Sequence, residues 1–347
     1  MRGLSTLRAA AAVAATVALA GGLVACGDDD PGSASSGGGE AATDMSITVG
    51  LPVHDSSYAP VYLAQDKGFF KEEGLDVKLV AFMGGADLAK AVIGGSVEIG
   101  NSAMSEMVLG IQQGQPLKAF WGGMNMLTFE WWARPPIKSV AEAKGKKWGV
   151  TRVGSSTDFL TRYLMTKNDI DPEGDATIVG VGPAAGSQAA IKADKIQVAT
   201  ASQPSNFVLE DWGYTKIGSQ ADFSDSYPTH VSYSREELQE KNAPAVEAYL
   251  RAIVRGTKLA KEDPEAAMAT MKKYAKVEDK YLQRTYDANL PGWNEDGRVA
   301  SPEGMEVFWE IGIQNKQFRE KLPEDQWLNR KWLDSYPDLG TKGGEEQ

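Results

Sequence analysis

Residues 47–80 read ITVGLPVHDSSYAPVYLAQDKGFFKEEGLDVKLV, and this stretch decides the fold. Ile47-Thr48-Val49-Gly50-Leu51-Pro52-Val53 has the aliphatic and β-branched make-up of a buried strand. The polar run His54-Asp55-Ser56-Ser57-Tyr58 turns the chain. Pro60 suits the first turn of a helix, where no backbone donor is needed. That helix carries Val61, Leu63 and Ala64 and ends near Lys67-Gly68. Val77-Lys78-Leu79-Val80 is the next strand. A strand, a helix of about ten residues and a second strand form a βαβ unit, which calls for mostly parallel pairing.

The same rhythm continues outward. Gly84-Gly85 precedes a helix over 87–93, Val97-Glu98-Ile99 is a strand, and Asn101-Ser102 leads into a helix over 106–113. Leu117–Trp121 reads as a further strand. A second series starts near Ser139, which with Glu142 fits a capping box. Lys147–Val150 is its first strand, followed by Gly154-Ser155-Ser156-Thr157-Asp158 and a helix over 159–167. Strands over 178–181 and 196–201 flank a helix over 187–193, and Ser202-Gln203-Pro204 opens another helix. His230-Val231-Ser232-Tyr233 reads as a return strand, with Ser234 and Glu237 as a second capping box. From Ala243 onward helices dominate, with Pro244, Pro264, Pro302 and Pro323 near their starts. Gly50–Ser57 weakly echoes Gly149–Ser156: each is a strand running into a Ser-Ser turn that begins a helix. Two lobes built alike would each present a helix N-terminus at the carboxyl end of the first strand, the edge where open α/β sheets bind ligands.

Composition sets the setting. The chain has 347 residues, two histidines and a single cysteine, Cys26. A basic start (Arg2, Arg8), an apolar run from Ala9 to Val24 and the ending Leu23-Val24-Ala25-Cys26 make a secretory signal. The apolar run is short for a membrane span, which needs about 20 residues. The Leu-x-Ala-Cys ending resembles the bacterial lipobox, which implies a diacylglyceryl group on Cys26 and cleavage just before it. The alternatives are a plain signal peptide or a buried cysteine. Removing residues 1–25 takes Arg2 and Arg8 and moves the formal charge from −11 to −13. So acidic a chain is a poor nucleic-acid ligand. Anionic lipid repels it too, which leaves acyl chains to hold it at a membrane. Residues 27–44, GDDDPGSASSGGGEAATD, have no large apolar side chain with which to offset backbone ordering. Residues 26–44 are therefore read as a lipidated tether reaching roughly 20–25 Å. The rest is long enough for two lobes, placed at 45–135 with 230–340 and at 136–229.

The strongest local candidate for chemistry is Gly154-Ser155-Ser156-Thr157. A helix N-terminus offers unpaired N–H groups and partial positive charge, glycine allows close approach, and hydroxyls add donors. That combination suits a carboxylate or sulfonate; ordinary capping by Ser155 and Asp158 is the alternative. Gly84-Gly85 and Asn101-Ser102 are similar helix entrances. Trp121, Phe129, Trp131 and Trp132 fill either a core or a pocket. Trp121, just before Gly122-Gly123, is the best pocket candidate among them. Tyr58 and His54 could face the same cleft. Arg152 is a counter-ion or a solvated residue, and His230 belongs to a hinge or the site. No G-x-S-x-G, Walker, G-x-G-x-x-G or H-E-x-x-H motif is present. Two histidines 176 positions apart and one cysteine make no convincing zinc site, and no cofactor is expected.

The run from Tyr62 to Val77, Tyr-Leu-Ala-x-x-x-Gly-Phe-Phe-x-x-x-Gly-Leu-x-Val, resembles the opening of the SsuA/THI5-like (NMT1-like) substrate-binding proteins. Gly84-Gly85, Gly95-x-Val97-Glu98-Ile99-Gly100 and Gly145-Lys146-Lys147-Trp148-Gly149-Val150 extend the likeness over about residues 46–260. The resemblance implies an α/β, two-lobe periplasmic-binding-protein fold (type II) with a ligand cleft between lobes. It also implies a monomer that delivers a small molecule to an ABC permease. Such proteins take up alkanesulfonates, taurine, nitrate, aromatic carboxylates or thiamine-related pyrimidines. The cysteine-rich motif of the pyrimidine-synthesising members is absent here. Carried over by position, the cleft draws on His54, Ser56, Tyr58, Gly84, Asn101, Ser102, Trp121, Gly154, Ser155, Ser156, Thr157 and Gln203. The expectation is a lipid-anchored solute-binding protein on the extracytoplasmic side. Its ligand would be a small organic anion, an aromatic carboxylate or sulfonate. Ser155, Ser156 and Thr157 would hold the anionic head, and Trp121 and Tyr58 would pack the apolar part. Hinges are expected at 133–140 and 223–234. The alternative is an extracytoplasmic enzyme on the same fold, pyrimidine-forming or hydrolytic.

Overall fold

A computed structural model describes residues 45–126 and 129–335. Its strands are β1 (Met45–Leu51), β2 (Leu75–Ala81), β3 (Ile99–Ser102), β4 (Leu117–Met124), β5 (Glu130–Ala133), β6 (Lys147–Val150), β7 (Thr177–Gly180), β8 (Val198–Ala201), β9 (Thr215–Ser219) and β10 (His230–Arg235). They form two five-stranded sheets, ordered β2-β1-β3-β10-β4 and β7-β6-β8-β5-β9. In the first, β1 pairs parallel with β2 and β3, and β10 lies antiparallel between β3 and β4. In the second, β6 pairs parallel with β7 and β8, and β5 lies antiparallel between β8 and β9. The two sheets thus share one layout. The weak echo between Gly50–Ser57 and Gly149–Ser156 marks equivalent places, the ends of β1 and β6.

The antiparallel strand of each sheet follows the last strand of the other, so the chain crosses twice. The first crossing lies between Met124 and Glu130, not at 133–140, and Glu130–Ala133 belongs to the second sheet rather than to the 45–135 lobe. The two tryptophans of β5 explain this. Side chains alternate along a strand: Trp131 packs in the core with Phe159 and Leu160, and Trp132 packs on the opposite face with Ile191 and Ile196. Both faces of β5 are thereby covered by second-half elements. The crossings are tied together: Tyr227 N–H donates to Asn125 O (3.0 Å), Gln220 N–H to Phe129 O (2.9 Å), and the Thr229 hydroxyl to Met126 O.

The C-terminal helices are shared between the halves, not confined to the first. The 20-residue helix Ala243–Glu262 buries Val246, Tyr249, Leu250 and Ile253 against the first sheet and its Ala59–Asp66 helix. By contrast, Pro302–Gln314 packs on the second-half helix Ser156–Lys167. There Phe308 meets Phe159 (5.9 Å between centroids), and Asn315 Nδ2 donates to Phe159 O (2.8 Å). Glu324–Trp327 and Arg330–Asp334 return to β4. Of the two expected capping boxes, Ser139 does accept from Glu142 N–H, but Glu142 reaches Lys138 N–H instead of Ser139. Ser234 caps nothing, because its hydroxyl donates to Arg235 O. Among the described residues no helix is long and apolar enough to cross a membrane. Cys26, the signal and the tether lie outside the described residues.

Candidate functional site

The carboxyl ends of the parallel strands in both sheets face a partly open cavity of about 90 Å³. At roughly 30 Å³ of liquid volume per water, it has room for about three waters, and so for a compact solute. Its walls are the turn after β1, Gly84-Gly85, the turn after β6, the start of the Ala184–Lys192 helix, the end of β8 and His230.

In the turn after β1, Asp55 is the organising residue. Its carboxylate accepts from Ser57 N–H (2.9 Å) and Ser57 Oγ (2.7 Å), while its own N–H donates to Tyr62 Oη (3.3 Å). Ser57 Oγ also lies 3.2 Å from His230 Nε2. A hydroxyl has one proton, and the shorter bond to a carboxylate takes it. The hydrogen-bond network therefore assigns the Nε2 proton to His230, donating to Ser57, with Nδ1 left as an acceptor. Burial pushes the His230 pKa down to about 3, so the ring is neutral. Tyr58 stacks on it (4.1 Å, 9°) and donates to Asn101 O (3.2 Å). Burial, followed by the charge of Lys276, also lowers the His54 pKa.

In the turn after β6, the donors are already engaged. Gly154 N–H donates to Asp158 (2.8 Å), and Thr151 N–H donates to Thr157 Oγ1 (3.0 Å). Ser155 Oγ does not cap its own helix; it accepts Ala86 N–H from the first half (3.1 Å). Ser156 N–H donates to Glu106 Oε1, also from the first half (2.7 Å). Glu106 is 3% exposed, and burial pushes its pKa up to about 7 against the pull of bonds from Ser156 and Ser105. Gly84 and Gly85 make this approach possible. A Cβ on Gly84 would sit 2.8 Å from Arg152, and one on Gly85 would collide with the Glu106 carboxylate. Arg152 itself pairs with Asp87 (2.9 Å).

Further bonds join the halves at the other rim. Ser202 Oγ donates to Asp55 Oδ2 (2.8 Å), and Ser56 Oγ donates to Gln203 O (3.0 Å). The cavity is thus shut on both sides by polar contacts between first-half and second-half residues.

Of the residues expected from sequence, His54, Tyr58, Gly84, Ser156 and Thr157 line the cavity. Ser56, Ser155 and Gln203 join the halves instead, and the Gly154 N–H is held by Asp158. Asn101 and Ser102 lie buried behind the wall; Asn101 Oδ1 accepts from Ser232 (2.6 Å) and Tyr249 (2.9 Å). Trp121 is not a pocket residue: it is 0% exposed, in the first-sheet core with Phe120 and Tyr249, and the backbone at Gly297 covers its ring. Sequence reading missed Ser57, Thr200 and Ser202 in the wall and Glu106 behind it. Asp55 and Ser57 stand inside the turn already singled out. Glu106 gives no signal, since a glutamate in a helix pattern reads as a solvated face.

With this geometry in view, residues 55–267 match the model described as NMT1/THI5 like. The chain belongs to the NMT1/THI5-like family. Among its relatives, YtlA of Bacillus subtilis (strain 168) is 28% identical over 137 residues, covering 38% of this chain and 41% of that protein. The 4-amino-5-hydroxymethyl-2-methylpyrimidine phosphate synthase of Aspergillus parasiticus is 34% identical over 119 residues, covering 32% and 34%. The chain therefore spans less than half the length of these two relatives. A solved structure of the alkanesulfonate-binding protein SsuA from Xanthomonas axonopodis pv. citri, bound to MOPS, superposes with a TM-score of 0.67 at 15% identity, covering 82% of this chain and 99% of that one. This family member accordingly has the periplasmic-binding-protein fold, with two mixed sheets flanked by helices.

Proposed function

We propose that this NMT1/THI5-like protein is the solute-binding component of an ABC importer. In this reading Cys26 carries the lipid anchor on the extracytoplasmic side, and a permease in the same membrane receives the solute. One observation carries the reading: a cavity at the strand ends of two equivalent sheets, lined by residues of both and bridged by bonds between them. The two lobes would open by bending at the tied crossings, at Asn125 and Met126 and over residues 220–229, and close on a solute. The likeness to a sulfonate-binding protein favours an anion. The turn after β6 weighs against it, because its Ser156 and Gly154 donors already serve Glu106 and Asp158. An aromatic ligand loses its main support with Trp121 in the core, and about 90 Å³ is below the ~150 Å³ known to hold a benzene ring.

The enzyme alternative has one observation on its side, the contact of Ser57 with both Asp55 and His230. In a hydrolytic triad the histidine takes the serine proton. Here Ser57 keeps that proton and donates it to Asp55, and His230 donates to Ser57, the reverse polarity. The test is native mass spectrometry of the chain purified from its own cells. One small molecule should co-purify at 1:1 and be released unchanged, and Cys26→Ser should move the chain from the membrane fraction to the soluble one. An empty protein, or a bound molecule that is converted on incubation, would contradict the importer reading.

A further inference from the structure

The importer reading leaves the ligand class open, and the direction of the protons around the cavity narrows it. Ser57 Oγ–H points to Asp55, and Ser202 Oγ–H points to Asp55 as well. Thr161 gives its one proton to Thr157 O (2.6 Å), so the Thr200 hydroxyl, 3.1 Å away, must donate to Thr161. The Ser156 hydroxyl bonds Glu106. Four hydroxyls that line the cavity therefore have their protons engaged by the protein and can only accept from a solute. His230 adds Nδ1 as a fifth acceptor. The Asp55 carboxylate adds a full negative charge, and no Lys or Arg lines the cavity among the described residues. The groups acting on Glu106, just behind Gly85 and Ser156, are likewise its own backbone, Ser105 and Ser156, with no cation among them. Ser205, which accepts from Gln188 (2.9 Å), keeps a free proton on the wall.

We infer that the cavity selects a compact, neutral or singly cationic solute with several N–H donors and one acceptor edge, such as an amidine or an amino alcohol, rather than a sulfonate, carboxylate or nitrate. Asp55 is half-buried and meets no Lys or Arg in the cavity wall, so its carboxylate has no cationic partner there. An N–H donor or ammonium group can pair with it, whereas an anion would face five sets of lone pairs and a like charge.

The test is calorimetric titration of the full chain with two panels. Acetamidine and ethanolamine form one; methanesulfonate, acetate and nitrate form the other. The inference expects at least one saturable ligand in the first panel, bound at least tenfold more tightly than anything in the second. Asp55→Asn, which keeps the shape and removes the charge, should weaken that ligand at least tenfold. Thr200→Val should weaken it several-fold without the Asp55 cap being touched. Tighter binding of any anion overturns the inference and leaves the importer reading intact. Binding from neither panel also overturns it. The importer reading falls separately, if the protein purified from its own cells is empty.

Discussion

The turn after β1 and the turn after β6 begin from nearly the same sequence pattern, a strand running into Ser-Ser before a helix. They occupy equivalent positions in two equivalent sheets, yet their polar groups face opposite ways. After β1, Asp55 and Ser57 build a wall of acceptors around the cavity. After β6, the Gly154 and Ser156 donors and the Ser155 hydroxyl are used up by Asp158, Glu106 and Ala86. A helix entrance thus meets a solute through the groups the fold leaves unused, and after β1 those are acceptors, because the Ser57 N–H is already held by Asp55. Here one entrance presents itself to the solute, and the other has become a fastening between halves.

The sharpest way to break this contrast is Asp55→Ala. It removes a cap, the bond from Ser202 across the cleft and the charge facing the ligand. Solute affinity should fall at least 100-fold, on the order of 3 kcal/mol, read by calorimetry. An unchanged affinity would mean that the first turn is only a cap.

Next comes Glu106→Ala, which strands the Ser156 N–H. It should cost about 10–100-fold in affinity and shift the unliganded protein toward a larger radius of gyration in X-ray scattering. If affinity falls without any change in radius, Glu106 does not fasten the halves.

Glu106 also predicts a pH dependence. Its folded-state pKa of about 7 lies above the ordinary glutamate value of 4.5. Its contribution to stability is therefore full below about pH 4.5 and is lost as pH rises through 7, by at most about 3 kcal/mol. His230 acts with the opposite sign, because its pKa is lowered to about 3 and stability falls as pH drops below 6.5. The difference in melting temperature between the wild type and Glu106→Gln isolates the glutamate. The wild type should lose ground to the variant from pH 5 to pH 8, and a constant difference would refute the assignment. The smallest effect belongs to Ser155→Ala, which removes one neutral bond to Ala86. Affinity should change by about two- to tenfold, that is 0.5–1.5 kcal/mol. A loss as large as that of Asp55→Ala would restore the second turn as the anion grip.

Much of the fold was legible because strand and helix periodicities survive in short segments: β1 and β6 and their helices stand where the patterns in 47–53 and 147–150 put them, whereas β3 (Ile99–Ser102) begins where the pattern in 97–99 ends. The run Glu130–Ala133 was ambiguous because both Trp131 and Trp132 are apolar; which sheet a strand joins depends on what covers its two faces. The first turn of the site was legible from its run of polar residues around Asp55. The role of Glu106 was not, because burial and a partner fifty positions away, Ser156, convert an ordinary helix glutamate into a fastening. Trp121 failed for the complementary reason: the Gly297 backbone that covers it comes from a loop with no pattern pointing to β4.

The most direct measurement is a crystal structure of the protein with its co-purified solute. The predicted result is a solute nitrogen within hydrogen-bond distance of the Asp55 carboxylate, with the Ser156 N–H still on Glu106. A solute oxygen seated on the Ser155 and Ser156 N–H groups, with Glu106 displaced, would contradict it.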